Sequence, residues 1–591
     1  MSTFPWLTVA GAIPLVGALA IALTPGRSAP GSPADQRARD LLVKRVALGF
    51  SLLTLAVTVA MAVAFKPGGA RFQFQQVYQW IPQFGVHYAV GVDGIALVLI
   101  VMSAVLMPVV ILASWNDVEI INEVEGRLAD SPTTGGSPRA RSAKTYFIWM
   151  MVLETMMIGV FAATDVFLFY VFFEAMLVPM YFMIGSFGVG QRQYAAVKFL
   201  LYSLLGGLLM LAAVIALYVY STHGGHTGTF LFSQLSTLVL SPTSEKWLFL
   251  GFFVAFAIKA PLWPFHTWLP DAATAAQPGA AVLLVGVLDK VGTFGMIRYC
   301  LDLFPSAAHY FTPLIIVLSV IGVLYGAVVA IGQADMKRLI AYTSVSHMGL
   351  ITLGIFAMTS QGQTGATLYM VNHGFATGAL FIIAGFLVAR RRSALINDYG
   401  GVQKVAPLLA GTFLIAGLAG LAMPGLNTFV SEFLVLVGTF TRYEAAAILA
   451  TLGIILAAIY ILWMYQRTMT GPVRPEVADM TDLKPRELWA VGPLILLIIA
   501  LGVYPKPVID IINPAVHSTL TGVHSTDPRP PHPAPAAAGK PASTTSLIRH
   551  SAVGRIAEHH GHGAITGFGA NTGVGAKTAH GAITLKQRSS A

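Results

Sequence analysis

The chain has 591 residues, of which 55% are hydrophobic and only 10% are charged, and its formal net charge is +10. Soluble domains carry about 25% charged residues, so this composition and a mean hydropathy of +0.71 exclude a soluble globular protein. The cations lie mainly in loops between apolar segments, so the positive charge does not indicate nucleic-acid binding.

Cofactor chemistry also has little support in the sequence. The single cysteine, Cys300, excludes a disulfide framework and an iron–sulfur cluster held by this chain alone, which normally needs four thiolates. The sequence contains no Gly-rich phosphate loop, Rossmann fingerprint or zinc-ligand spacing. We therefore expect no cofactor in this chain, and any electron carrier belongs to partner subunits.

Apolar runs of roughly 20 residues, the length of a bilayer-spanning helix, recur along most of the chain. They predict an all-α polytopic membrane protein with about fourteen spans. The spans cover about 5–24, 44–65, 88–114, 145–163, 165–187, 194–220, 247–270, 278–301, 312–332, 337–357, 365–388, 408–440, 445–467 and 487–510. The first lacks a basic segment before it and is followed by Pro25, which predicts a retained helix rather than a cleaved signal peptide.

Basic residues in the short loops predict the orientation. Twenty of them, including Arg27, Arg141, Lys337 and Arg390, fall on one side, and only four fall on the other. Because cytoplasmic loops carry the excess of Lys and Arg, both termini are expected on the non-cytoplasmic side.

The sequence also divides into regions. We expect an N-terminal three-helix segment at 1–114, five-helix sets at 145–301 and 312–467, and a last span at 487–510. The tail, 515–591, is rich in Pro, Ala and Ser and is expected to be polar and disordered. His559, His560 and His562 could bind a metal there, although a solvated tail without fixed geometry is the simpler interpretation.

Each five-helix set contains an interrupted helix in its fourth position. Pro261 and Pro264 interrupt the first set, and Pro424 with Gly425 interrupts the second. Proline removes a backbone donor and obstructs the preceding turn. Paired broken helices in corresponding positions are typical of inverted-repeat transporters and their ion sites, so we expect two inverted repeats.

Ionisable residues inside apolar runs are the candidate functional residues. They are Glu174, Lys259, Lys290, His347, His373 and Glu432. A charged Asp, Lys or Arg at bilayer depth costs about 2.5–3.5 kcal/mol on insertion scales, so these groups must pair, share water or change protonation state. Alternating acids, amines and imidazoles suit proton transfer, because burial opposes charge while a neighbour of opposite sign favours it.

Each candidate also has a simpler interpretation. The lysines could neutralise structural carboxylates, and the histidines could be neutral groups hydrogen-bonded between helices. Glu154 is a possible second acid in the preceding span. Asp289 neighbours Lys290 along its helix, so the two side chains are expected to point in different directions, and Lys198 could extend its amine to the membrane surface.

Several stretches together resemble a known family. They are VGVDGIAL (90–97), FFEAMLVPMYF (172–182), IKAPLWPFHTWLPDA (258–272), GVLDKVGTFG (286–295), DMKRLIAYTSVSHMG (335–349), NHGFATGALF (372–381) and LNTFVSEF (426–433). In this order they resemble the antiporter-like membrane subunits of proton-pumping NADH–quinone oxidoreductase, respiratory complex I, over about residues 88–470.

The resemblance implies roles for the buried charges. In that family a glutamate and the lysine of the first broken helix form a functional pair, which falls on Glu174 and Lys259. The next lysine and the central histidines fall on Lys290, His347 and His373. Sister subunits have a lysine after the second break, whereas one branch has a glutamate, so Glu432 indicates that branch.

The chain departs from the family pattern in one loop. Members commonly read DAHTEAPTAG, whereas residues 271–280 read DAATAAQPGA, so Ala273 and Ala275 replace a usual His and Glu. Whatever proton entry or coupling those groups support is in doubt here.

The resemblance implies a proton-translocating subunit in a bacterial inner membrane. Flavin, iron–sulfur clusters and quinone would belong to partner subunits, especially alongside two sister antiporter-like subunits, and no nucleic acid would be bound. Two other functions remain open: a cation/proton antiporter subunit of the same fold, and a membrane scaffold whose buried charges have lost their role.

Overall fold

The computed structural model describes residues 4–25, 33–129, 141–223 and 227–528. The N-terminal part contains four helices and a hairpin. They are α1 (Trp6–Leu23), α2 (Pro33–Ala64), strands β1 (Gln73–Ile81) and β2 (Val86–Val92), α3 (Gly94–Ala113) and α4 (Asp117–Ala129). The strands pair antiparallel, with Tyr78 opposite Tyr88.

The next part contains the first broken helix. Its elements are α5 (Ala143–Ala162), α6 (Val166–Ala175), α7 (Leu177–Phe187), α8 (Arg192–Ser221), α9 (Phe232–Leu235), α10 (Pro242–Lys259), α11 (Trp268–Ala275), α12 (Pro278–Leu283) and α13 (Asp289–Gly295). Two π-helical segments, Leu284–Leu288 and Met296–Leu301, flank α13.

The last part contains the second broken helix. Its helices are α14 (Pro305–Ile331), α15 (Met336–Phe356), α16 (Ser360–Arg391), α17 (Pro407–Gly420), α18 (Asn427–Phe440), α19 (Glu444–Met469), α20 (Pro485–Val503) and α21 (Lys506–Gly522). Short 3-10 turns lie at Ile396–Asp398, Val402–Lys404 and Pro475–Val477.

In the described part of the chain, twelve helical segments are long and apolar enough to cross a membrane. They correspond to twelve of the predicted spans, and the other two, 247–270 and 408–440, are split between shorter helices. The all-α polytopic class is confirmed, whereas the count of about fourteen spans, the division into domains and the inverted repeat stay predictions.

The centre of the molecule is formed by the segments that carry the predicted cations and imidazoles. Within its most apolar window, segment 278–301 is 100% buried inside the protein, and α15 and α16 are each 94% buried, compared with 33% for α1. The outer helices therefore turn apolar faces towards lipid, while Lys290, His347 and His373 lie in the protein interior.

Both predicted breaks are present. After Lys259 the chain leaves the helix, with Leu262 N donating to Ala257 O at 2.9 Å. Trp268 Nε1 donates to Ile258 O at 2.9 Å and ties the start of α11 to the end of α10. At the second break Gly425 has φ +93°, a left-handed conformation that favours glycine, and α18 begins two residues later.

The structure corrects two of the predicted spans. The predicted span 88–114 begins with strand β2, and the helix starts only at Gly94, where Asp93 caps it by accepting from Ala96 N at 2.9 Å. The predicted span 165–187 is divided at Met176 into α6 and α7.

The expected disordered tail from residue 515 is wrong at its start, because α21 continues to Gly522 and buries Ile512, Val516 and Leu520. An amphipathic helix with polar residues on one face escaped the search for long apolar runs. The predicted tail from residue 529 onwards, including the three tail histidines, lies outside the described residues.

Candidate functional site

Lys290 lies at the centre of a buried polar cluster. Its Nζ is 2.6 Å from His373 Nδ1, and it also donates to Val285 O within the preceding π-helical segment. Asp289 Oδ1 lies 3.1 Å from the same nitrogen, and both side chains are fully buried. The expectation that Asp289 and Lys290 point apart is therefore wrong, because the long lysine chain folds back towards its neighbour.

His347, on α15, lies next to this cluster. Its ring centroid is 5.2 Å from that of His373, and the two rings are perpendicular. Among the described residues, neither nitrogen of His347 makes a hydrogen bond of good geometry, and the backbone of Gly420 is the polar group beside the ring. Because a buried polar group without a partner is costly, these nitrogens are suited to hold water or to exchange a proton.

Glu432 is the buried acid of the second half, with an exposed fraction of 3%. Tyr369 donates its hydroxyl to Glu432 Oε1 in a short hydrogen bond. Reciprocal amides fix α18 beside α16: Asn372 Nδ2 donates to Asn427 O at 2.7 Å, and Asn427 Nδ2 donates to Asn372 O at 3.0 Å. The break before α18 thus gives these amides access to backbone groups and positions Glu432.

Glu174 and Lys259 occupy the first half. Lys259 is 1% exposed, and its Nζ lies 4.7 Å from the centroid of the Phe173 ring. Within the described part of the chain, neither Lys259 Nζ nor Glu174 Oε1 has a hydrogen-bond partner. Glu174 is half-buried, and its carboxylate lies against the backbone of Gly207 on α8. These two side chains are neighbours in the fold without a direct hydrogen bond.

The remaining ionisable residues divide into paired and unpaired groups. Lys198 donates to Asp271 Oδ2 at 2.7 Å, so it forms an ion pair instead of only reaching towards the membrane surface. Arg338 donates to the other oxygen of Asp271 at 2.9 Å. Glu154 is fully buried, and neither carboxylate oxygen has a hydrogen-bond partner among the described residues.

The segment 271–280, predicted as a loop, instead forms the end of α11, a short turn and the start of α12. Ala273 and Ala275 are buried, and Lys337 Nζ donates to Thr274 O at 2.6 Å and to Ala276 O at 2.8 Å. The two alanine side chains offer no proton-carrying group at the end of α11. Lys337 instead satisfies the carbonyls of the turn that joins α11 to α12.

The structure groups four of the six predicted site residues. Lys290, His373 and His347 form a continuous cluster, and Tyr369 joins it to Glu432. Glu174 and Lys259 form a separate group next to the first break. Sequence reasoning missed Tyr369, although its position four residues before His373 places both on one face of α16.

This arrangement is suited to proton exchange rather than metal binding. The described residues contain no group of three His, Cys, Asp or Glu side chains that could hold a metal ion. Amines, imidazoles, a phenol and carboxylates instead follow one another through the buried centre. Each of them can gain or lose a proton without leaving its place in the fold.

Comparison with known proteins shows the family to which the chain belongs. Residues 163–459 match the family model described as "NADH:quinone oxidoreductase/Mrp antiporter, TM". NADH-quinone oxidoreductase subunit M of Mycobacterium tuberculosis is 53% identical over 553 residues, covering 91% of this chain and 98% of that protein. The chain belongs to this family. The subunit M of Rhodobacter capsulatus is 38% identical and covers 88% of this chain and 97% of its own length.

These relatives confirm the branch indicated by Glu432, that of subunit M. A chain of respiratory complex I from Thermus thermophilus has the same fold, with a TM-score of 0.73, 30% identity and coverage of 88% of this chain and 99% of its own. A chain of the Mrp complex from Dietzia sp. shares the fold at a TM-score of 0.68 and 20% identity, covering 87% of this chain and 99% of its own. The description of the matched family model itself names both NADH:quinone oxidoreductases and Mrp antiporters.

Proposed function

We propose that this subunit M chain translocates protons in NADH–quinone oxidoreductase through a buried line formed by Glu174, Lys259, Lys290, His347, His373 and Glu432. The single observation that carries the proposal is the contact of 2.6 Å between Lys290 Nζ and His373 Nδ1 in the buried centre. An amine and an imidazole at this distance share one proton between two nitrogen atoms, so a proton can pass between the helices that carry them.

Lys259 acts as the switch of the line. Its ammonium is buried at the first break without a hydrogen-bond partner in the described chain, so its charge depends on the nearby Glu174 carboxylate and on internal water. A change in the charge of Glu174 therefore alters how firmly Lys259 holds its proton. Lys290, His373 and His347 relay the proton, and Glu432 receives it as the terminal acid towards the next subunit or the outlet.

Energy for this transport comes from outside the chain. Moving one charge against the membrane field costs about 2.3 kcal/mol per 100 mV. Flavin, iron–sulfur clusters and quinone in partner subunits supply that energy by electron transfer, while the sister antiporter-like subunits extend the line within a bacterial inner membrane. Both termini of the chain lie on the non-cytoplasmic side, as the basic loops indicate.

The second candidate is a subunit of a cation/proton antiporter. The likeness to the Mrp complex chain favours it through the fold alone. Purification from native membranes distinguishes the two assemblies. Co-purification with flavin and iron–sulfur proteins supports the redox complex, whereas cation-dependent proton exchange by a particle without them would contradict it.

The proposed switch is tested by Lys259→Ala in the complete complex, assayed in inside-out membrane vesicles. Loss of the buried ammonium is expected to abolish NADH-driven proton uptake while the complex still assembles. The control is Lys246→Ala on the same helix, since Lys246 lies near the start of α10 over the Tyr310 ring, away from the line. Full proton uptake by the Lys259→Ala complex would support a scaffold role and end the proposal.

A further inference from the structure

Tyr369 occupies the gap between the imidazole cluster and the terminal acid. It is fully buried on α16, one turn before His373, with α15 on one side and α18 on the other. Its ring centroid lies 5.7 Å from that of His347 and 6.4 Å from that of His373. Its hydroxyl donates to Glu432 Oε1. The side chain therefore reaches from the histidines to the acid.

The chemistry of the hydroxyl matches this position. A phenol can donate one hydrogen bond and accept another at the same oxygen. Tyr369 uses its donor on Glu432, which leaves the oxygen lone pairs able to accept. His347 lies next to the ring, and in the described chain neither of its buried nitrogens makes a hydrogen bond of good geometry. The Tyr369 hydroxyl can therefore accept a proton from the His347 side while it donates its own proton to Glu432, which is what a proton relay requires.

Packing alone does not explain why residue 369 carries a hydroxyl group. A phenylalanine would fill almost the same volume, and it would leave no hydroxyl to satisfy in the interior. Tyr299 shows the contrast, because its ring packs against Phe169, Phe252 and Phe256, and its buried hydroxyl has no hydrogen-bond partner in the described residues. The hydroxyl of Tyr369 instead donates to Glu432, the carboxylate of the proposed proton line that lies on α18.

We propose that Tyr369 is a proton-relay residue that transfers protons between His347 and Glu432, with one water molecule bridging the imidazole and the phenol. This inference rests on the proposed function and adds the step that links the central cluster to the acid. When His347 is protonated, its N–H bond breaks and the proton passes through the water to the phenol oxygen. The original phenol O–H bond breaks in the same movement, and the proton forms a new O–H bond on the Glu432 carboxylate.

The step balances without an oxidant or a reductant. His347 becomes neutral, Glu432 becomes a carboxylic acid, and Tyr369 ends with one proton as it began. The water also returns to its starting composition. Because the phenol is never required to carry a full negative charge, its burial does not oppose the transfer.

The direct test is Tyr369→Phe in the complete complex, which removes one oxygen and keeps the ring. NADH-driven proton uptake by inside-out vesicles is expected to fall by about 10²-fold, the lower end of the loss when a positioned proton-transfer group is removed. The solvent deuterium isotope effect on the residual uptake should also change. Tyr299→Phe is the matched control, since it removes a buried hydroxyl outside the line, and wild-type uptake is expected.

A second measurement separates relay from positioning. Replacement of Tyr369 by a ring-fluorinated tyrosine keeps the shape and the hydrogen bond but makes the phenol more acidic. A relay predicts a shifted pH profile of proton uptake, whereas a positioning role predicts the wild-type profile and would overturn the inference. This second variant also decides the matter if Tyr369→Phe fails to assemble.

The outcome is distinguishable from failure of the proposed function. If Lys259→Ala abolishes uptake while Tyr369→Phe pumps at the wild-type rate, the line stands and the relay through Tyr369 is wrong. If both variants pump normally, the proton line itself is wrong. Loss of uptake in both, with an active Tyr299→Phe complex, supports the line and the relay together.

Discussion

At the scale of single residues, the most demanding group is the Lys290 amine. A charged amine with no exposed surface is stable only where other groups replace its hydration. Lys290 has three such partners: Asp289, His373 and the carbonyl of Val285. The π-helical segment before it makes the carbonyl available, because a π-turn displaces the regular helical hydrogen bonds.

Replacement of Asp289 by Asn tests how much this amine depends on its carboxylate. Removal of one partner of a buried ion pair leaves an uncompensated charge, which costs about 3–5 kcal/mol. The Asp289→Asn complex is therefore expected to melt at a clearly lower temperature in a thermal-unfolding assay and to pump protons more slowly. Asp510→Asn is the control, since its ion pair with Lys506 is 51% exposed on the aspartate side and exposed pairs contribute little. Equal melting temperatures for the two variants would contradict the prediction.

At the residue scale, the sequence located the buried ionisable side chains where polarity stood out against an apolar background, while their role in proton transfer stays a prediction. Lys259, Lys290, His347, His373 and Glu432 could be found because a charged or imidazole side chain is conspicuous in a membrane span. Tyr369 could not, since tyrosine is common in such helices and its role depends on a hydroxyl pointing at a residue 63 positions away.

The wrong expectation that Asp289 and Lys290 point apart shows the limit of helical periodicity as a guide to side-chain contacts. Helical periodicity gives the direction of Cβ atoms, not the position of a flexible amine several bonds further along the side chain. The ion pair between Asp289 and Lys290 is a result of that flexibility, and only coordinates reveal it.

At the scale of helices, the packing of α6 against α8 determines where the Glu174 carboxylate lies. Gly207 on α8 has no side chain, and this absence leaves room for the carboxylate against the helix backbone. Small residues that allow close approach are the usual means of helix association in membranes. The position of Glu174 relative to Lys259 thus depends on a residue without any ionisable group.

Gly207→Ala is expected to displace Glu174, because an added Cβ would overlap its carboxylate oxygen. The proton uptake of inside-out vesicles should fall severalfold while the assembled complex remains visible on a native gel. Gly411→Ala on α17 is the matched control, since its Cβ would meet no atom within 4 Å. The same uptake in both variants would show that the close contact at Gly207 does not position Glu174.

Prediction of the helices themselves depended on which signal dominated locally. The prolines after Lys259 predict the first helix break correctly, because the effect of proline on a helix is strong and local. The hairpin of β1 and β2 was missed, since the apolar residues of β2 run directly into those of α3 and read as one span. Asp93 marks the true boundary as a helix cap, a signal that is weak beside a long hydrophobic run.

At the scale of the whole molecule, the segment after α20 closes one end of the helical core. Helix α21 packs against α3 and α16, and Thr364 Oγ1 on α16 donates to Asn513 Oδ1 at 2.9 Å. Arg442, in the turn between α18 and α19, donates to Ser525 Oγ at 2.8 Å and to Met358 O at 2.9 Å. Asp527 accepts from Ser360 N at 2.7 Å. These contacts join the two helices that carry the imidazoles to the helix that carries Glu432.

Two truncations test whether this closure is needed. A chain ending after Tyr504 loses α21 and two of the groups that accept from Arg442, Ser525 Oγ and Thr526 O, so the apolar surface of the core that α21 covers becomes exposed. We expect this chain to fail to accumulate in the assembled complex, measured on native gels of solubilised membranes. A chain ending after Pro530 keeps every contact described between α21 and the core, and it is expected to assemble and pump at the wild-type rate.

The comparison of the two truncations also locates the boundary of the functional chain. If the shorter chain assembles and pumps normally, the packing of α21 adds nothing that the core needs. If the chain ending after Pro530 also fails to assemble, residues 531–591 contribute to assembly. The prediction that residues up to 530 are sufficient would then be wrong. Within the described part of the chain, the last hydrogen bonds to the core involve Ser525, Thr526 and Asp527, and they favour a boundary just after residue 527.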